Sequence, residues 1–116
     1  MYSRFFFVLF CLVGVGSFSP TYAQQPVGPD LAKASNCMAC HQVDKKRVGP
    51  AFKVIAERFA GQAGAGDYLA GAIRSGGRGR WGAVPMPAQP QVSPADAKLL
   101  AAWILSLADD KSAITQ

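Results

Sequence analysis

Histidine is almost missing from this sequence: 116 residues contain one, His41. A lone histidine excludes any centre that needs two imidazoles from the same chain. Cysteine is scarce too, at three. Acidic residues number seven against twelve Lys and Arg, a net charge of +5. That surplus favours acidic protein partners or anionic surfaces. The basic residues are scattered, without a recognition-helix or stacking pattern, so nucleic acid is not an expected partner. No stretch alternates apolar with polar residues, so no strand is expected. Internal repeats and low-complexity tracts are lacking as well. The one long apolar run, residues 5–15, is too short to span a membrane comfortably.

That run follows Arg4 and leads into a small, polar segment ending Thr21-Tyr22-Ala23. The pattern reads as a secretory signal peptide, residues 1–23, cleaved after Ala23. Cys11 lies inside the apolar run behind the bulky Phe10, which argues against lipid attachment there. The mature chain, residues 24–116, is then one small domain with limited capacity to bury a core. Setting Arg4 aside lowers the net charge from +5 to +4. Export places the two remaining cysteines where a disulfide could form.

Those two cysteines have another use. Cys37-Met38-Ala39-Cys40-His41 is a C-x-x-C-H pentapeptide, the attachment sequence for c-type haem. Two thiols at this spacing can each add to one vinyl group of a porphyrin. The following imidazole is then positioned as an axial ligand to iron. Competing uses of C-x-x-C fare worse. A redox dithiol needs a strand–helix setting that is absent here. A zinc site has Cys37, Cys40 and His41 but no further His or mature Cys, leaving only a carboxylate to complete it.

With one histidine, a sixth iron ligand must come from elsewhere. Met38 lies within the attachment loop and cannot reach across the ring. Met86 stands far downstream in Val84-Pro85-Met86-Pro87-Ala88, where flanking prolines stiffen an extended backbone. A thioether held there closes the site and raises the reduction potential. An open or lysine-ligated iron is the other option; it would suit a gas or peroxide site. Pro50 offers a carbonyl to the second nitrogen of His41. Trp81 either packs in the core or donates its indole N–H to a haem propionate.

The expected architecture is all-α, about four helices wrapped around one covalently bound haem. Asp30 is placed to cap a first helix through Leu31, Ala34 and Asn36. Pro50 is placed to open a second, with Phe52, Ile55, Ala56 and Phe59 on one face and Gly61 at its end. Asp67 opens a third, carrying Leu69, Ala72 and Ile73, which Gly76-Gly77 closes. Residues 76–91 are rich in Gly and Pro and read as an irregular loop. Ser93, Pro94 and Asp96 mark the start of a last helix, whose apolar face is Leu99, Leu100, Trp103, Ile104 and Leu107.

These features together resemble the short bacterial class I cytochromes c of the cytochrome c-551 type. The resemblance spans residues 31–107. It rests on Cys37-Met38-Ala39-Cys40-His41, Val48-Gly49-Pro50-Ala51-Phe52, Phe59-Ala60-Gly61-Gln62-Ala63-Gly64, Trp81-Gly82 and Pro85-Met86-Pro87. It implies one haem c, His41 and Met86 as axial ligands, Pro50 behind His41 and Trp81 on a propionate. It implies a soluble, monomeric periplasmic one-electron carrier, not an enzyme, working between a quinol-oxidising complex and a terminal oxidase or nitrite reductase. A dedicated subunit of one enzyme is the variant of that role. Lys45, Lys46, Arg47, Lys53, Arg78 and Arg80 are candidates for steering acidic partners. Two positions depart from the family. Ala72 stands where relatives often carry a propionate-binding Arg, with Arg74 or Arg78 as replacements, and Gln89 stands where an Asn often holds the Met sulfur.

Haem attachment needs machinery in the export compartment. Expression confined to the cytoplasm is therefore expected to yield haem-free, poorly folded chain. A cooperative thermal transition from that apoprotein would contradict this.

Overall fold

The computed structural model describes residues 19–20 and 23–109; most of the proposed signal peptide lies outside the described residues. The described chain contains four α-helices: α1 (Gly28–Ala34), α2 (Phe52–Phe59), α3 (Ala65–Ser75) and α4 (Pro94–Ser106). One turn of 3-10 helix, Cys37–Ala39, follows α1. Helix α4 packs against each of α1, α2 and α3, most extensively against α3. Among the described residues, no helix is long and apolar enough to cross a membrane.

Helix α4 begins as its sequence dictates. Ser93 Oγ accepts a hydrogen bond from the Asp96 amide at 3.0 Å, and Pro94 occupies the first turn. Its buried residues are Ala97, Leu100, Ala101 and Ile104, spaced i, i+3, i+4 and i+7. Leu99 is not on that stripe. It is 44% exposed, because it sits one residue, or 100° of helix, away from Leu100.

The other helix starts differ from expectation. Asp30 does not cap α1; the capping position is Val27, and Asp30 lies in the first turn, where its charge suits the helix N-terminus. Pro50 does not open α2, which begins two residues later behind Ala51. The reason lies in the backbone. The amides of Phe52 and Lys53 donate to the carbonyls of Gln42 and Val43, at 2.9 and 3.0 Å. Those carbonyls do the work of a side-chain cap and fasten α2 to the segment just after His41. Helix α3 starts at Ala65, with Asp67 in its first turn.

The main correction concerns residues 76–91, which are not wholly irregular. Strands β1 (Gly77–Gly79) and β2 (Gly82–Met86) form an antiparallel ribbon, with Gly77 opposite Met86 and Gly79 opposite Gly82. A two-stranded ribbon exposed on both faces has no buried side to enforce alternation. Pro85 is tolerated because the ribbon has only edge strands.

Gly76 makes the junction between α3 and this ribbon possible. Its φ of 76° and ψ of −177° belong to a region essentially restricted to glycine. A β-carbon there would lie 2.6 Å from the Met86 carbonyl oxygen and 2.8 Å from the Ala88 nitrogen. Both obstacles are backbone, and backbone cannot swing aside. Gly76→Ala is therefore expected to cost about 1–3 kcal/mol in denaturant unfolding. A loss no larger than for an exposed glycine elsewhere in the fold would contradict the close approach.

Candidate functional site

The first wall of the site grows from the attachment pentapeptide. Asn36 adopts a left-handed conformation (φ 61°) that turns the chain out of α1. Asn tolerates this better than most residues. The Cys37 carbonyl then accepts from the amides of both Cys40 and His41, at 3.2 and 3.0 Å. Cys37 and Cys40 are half-buried free thiols brought to one side of this turn. Burial pushes the Cys37 thiol above its ordinary pKa, against a smaller opposing pull from a backbone hydrogen bond.

His41 is buried and held on three sides. Its Nδ1 lies 2.7 Å from the Pro50 carbonyl oxygen, so Nδ1 carries the proton and donates it. That leaves Nε2 with a free lone pair. Phe52 stacks on the imidazole, with centroids 4.9 Å apart and planes 18° from parallel. Gly49 presses on the ring: a β-carbon there would meet Cε1 at 2.5 Å. Glycine at this position was not singled out from the sequence, although Gly49 directly precedes Pro50.

A cavity of about 550 Å³ opens from Cys37, Cys40 and His41. Ile55 of α2, Leu69, Ala72 and Ile73 of α3, and Leu100 and Ile104 of α4 give it apolar walls. The far strap carries Met86, half-buried at the end of β2. Two anchors hold this strap to α3: the Gly76 contact, and the Gln89 amide donating to the Ile73 carbonyl at 3.0 Å. The Gln89 side chain is turned onto its own loop. Its Nε2 donates to the Pro87 carbonyl at 3.1 Å, and its Oε1 accepts from Gln91 at 2.7 Å.

Trp81 lines the cavity at the turn of the ribbon, half-buried, with the Arg58 guanidinium 4.6 Å from its ring centroid. Trp103 does not line it and instead meets Phe52 edge-on at 5.2 Å. The steering candidates divide. Lys53 pairs with Asp44 at 2.6 Å, and Arg47 donates to the Met38 carbonyl at 3.3 Å. Arg78 and Arg80 line the cavity. Arg74 is turned away, donating from Nε to the Val92 carbonyl at 3.1 Å.

The donor set suits a covalently held haem: two thiols, an imidazole nitrogen and a thioether all border one apolar cavity, with cationic side chains at its rim. Comparison with known proteins agrees. The family model for cytochrome c matches residues 27–108. The chain is similar to cytochrome c-552 of Nitrosomonas europaea, 56% identical over 86 residues, covering 74% of this chain and 82% of that protein. It is also similar to cytochrome c-552 of Hydrogenobacter thermophilus, 48% identical over 101 residues, covering 87% and 96%. The crystal structure of wild-type Nitrosomonas europaea cytochrome c552 superposes with a TM-score of 0.66 at 58% identity, covering 67% of this chain and 96% of that one. A helical chain with this cavity, matched at this identity across its helices, belongs to the cytochrome c family as a small class I member, an electron-transfer protein with one covalently bound haem c.

Proposed function

We propose that Cys37 and Cys40 anchor the haem as thioethers and that His41 and Met86 are its axial iron ligands. Each thiol would hold the haem by adding its S–H across one vinyl group, sulfur to one carbon and hydrogen to the other, with no leaving group. A haem so held supplies one-electron exchange between ferrous and ferric iron. The observation that carries the assignment is the 2.7 Å bond from His41 Nδ1 to Pro50. It fixes the tautomer, leaves Nε2 to bind metal and makes that nitrogen a stronger donor.

The chain's own residues do the rest. Phe52 and Gly49 hold the imidazole plane. The Met86 strap, fixed at Gly76 and Gln89, presents a neutral thioether that favours the reduced state. With both axial positions taken by protein, no substrate position remains, which suits relay over catalysis. Trp81 donates its indole N–H to a propionate. The mature chain, beginning at Gln24 after export, works as a soluble periplasmic carrier between a quinol-oxidising complex and a terminal oxidase or nitrite reductase. Its acidic partners are steered by the exposed Lys45 and Lys46.

Two variants test the site. Met86→Ala is expected to keep covalent haem but lose the far-red methionine–iron band of the ferric protein; a band that persists would reject Met86. Gly49→Ala places a methyl group against His41 Cε1, so the ring must tilt from Pro50. Its expected result is retained attachment, a shifted midpoint potential and a stability loss of about 1–3 kcal/mol. An unshifted potential would mean that the imidazole is not the redox-coupled ligand.

A further inference from the structure

Charge on the cavity lining is confined to one end. Arg58, Arg78 and Arg80 line it, and among the described lining residues no carboxylate does. Arg58 and Arg80 are built into a brace. Arg58 Nη1 donates to the Arg80 carbonyl at 3.1 Å, and its guanidinium lies over Trp81. The Arg80 guanidinium lies 4.7 Å from the Tyr68 centroid and 5.4 Å from that of Phe59. Stacking of this kind fixes a cation in place without neutralising it. Among the described residues, Arg78 has no hydrogen bond or ion pair. On the same lining, α3 contributes Tyr68, Leu69, Ala72 and Ile73 and no cation.

We infer that Arg78, backed by the fixed charges of Arg58 and Arg80, binds the propionate carboxylates of the haem. The ribbon thereby supplies a cationic partner that the lining residues of α3 do not. The inference rests on the haem assignment above. Its physical basis is that a carboxylate leaving water needs a partner. A guanidinium provides a planar fork that fits one. Arg78 and Arg80 thus serve the cofactor and not the steering of partners. The other lining side chains carry no fixed charge: the titratable ones are Tyr68 from α3 and Cys37, Cys40 and His41 from the attachment turn, beside Trp81 from the ribbon turn and Gln89 from the strap.

The test uses covalently loaded holoprotein, with midpoint potential measured as a function of pH for native, Arg78→Gln, Arg78→Lys and Lys98→Gln proteins, Lys98 being exposed on α4 and off the cavity lining. An opposite charge beside a carboxylate lowers its pKa, so removing Arg78 must raise the propionate ionisation. In Arg78→Gln the pH-dependent inflection is expected to move up by roughly one unit or more. The potential at neutral pH should fall, because ferric iron loses a nearby repulsive charge. Arg78→Lys should restore part of the shift, and Lys98→Gln should leave the profile on the native curve. Arg78→Gln and native profiles that superpose, with the methionine–iron band intact in both, would overturn the arginine assignment. A native holoprotein without that band would instead overturn the His41/Met86 reading beneath it.

Discussion

The hydrogen bond from His41 to the Pro50 carbonyl is the constraint on which the site depends. A single buried imidazole can present a lone pair to the cavity only if its other nitrogen is spoken for. The residues around that bond serve it. Gly49 brings the backbone close enough to touch the ring, and Phe52 closes the opposite side. Pro50 stays outside helix α2, with its carbonyl turned to the imidazole. The helix begins at Phe52, with the Gln42 and Val43 carbonyls capping its first amides. The start of a helix and the orientation of a candidate metal ligand are thus one arrangement.

The opposite wall is held by a different device. The thioether strap has no helix of its own and borrows rigidity from α3 through Gly76 and the Gln89–Ile73 bond. Prolines on either side of Met86 narrow its backbone freedom further. At the ribbon turn, two arginines lie on aromatic rings, which stations positive charge on the cavity lining. The apolar walls between come from α2, α3 and α4.

How much of this could be read from sequence depended on whether the signal was local. The pentapeptide and the Ser93–Pro94 start of α4 are carried by neighbouring residues, where short-range chemistry suffices; Pro50, nine residues past His41, was legible because a ligand imidazole needs an acceptor for its second nitrogen. The ribbon was missed because both faces are exposed and glycine dominates it, leaving no periodicity to detect. The caps of α2 were missed because their acceptors are backbone carbonyls ten residues upstream, which any residue could supply. The pairing of Arg58 with Trp81 joins α2 to the ribbon and leaves no trace in either segment alone. Leu99 was placed on the buried face because leucine is apolar, yet the inward stripe is filled partly by Ala97 and Ala101.

The packing of α4 also bears on how readily the chain closes on itself. Helix α4 touches α1, α2 and α3 and sends Leu100 and Ile104 into the cavity. Its contact with α1 joins nearly opposite ends of the described chain, the closure with the largest loop entropy to overcome. Contacts of such long sequence separation slow folding. The same helix that carries this entropic cost also supplies one wall of the cavity, so closing the chain and completing the site depend on one set of contacts. Ala97 and Ala101 are buried in α4 but do not line the cavity, so changes there would act on that closure through packing.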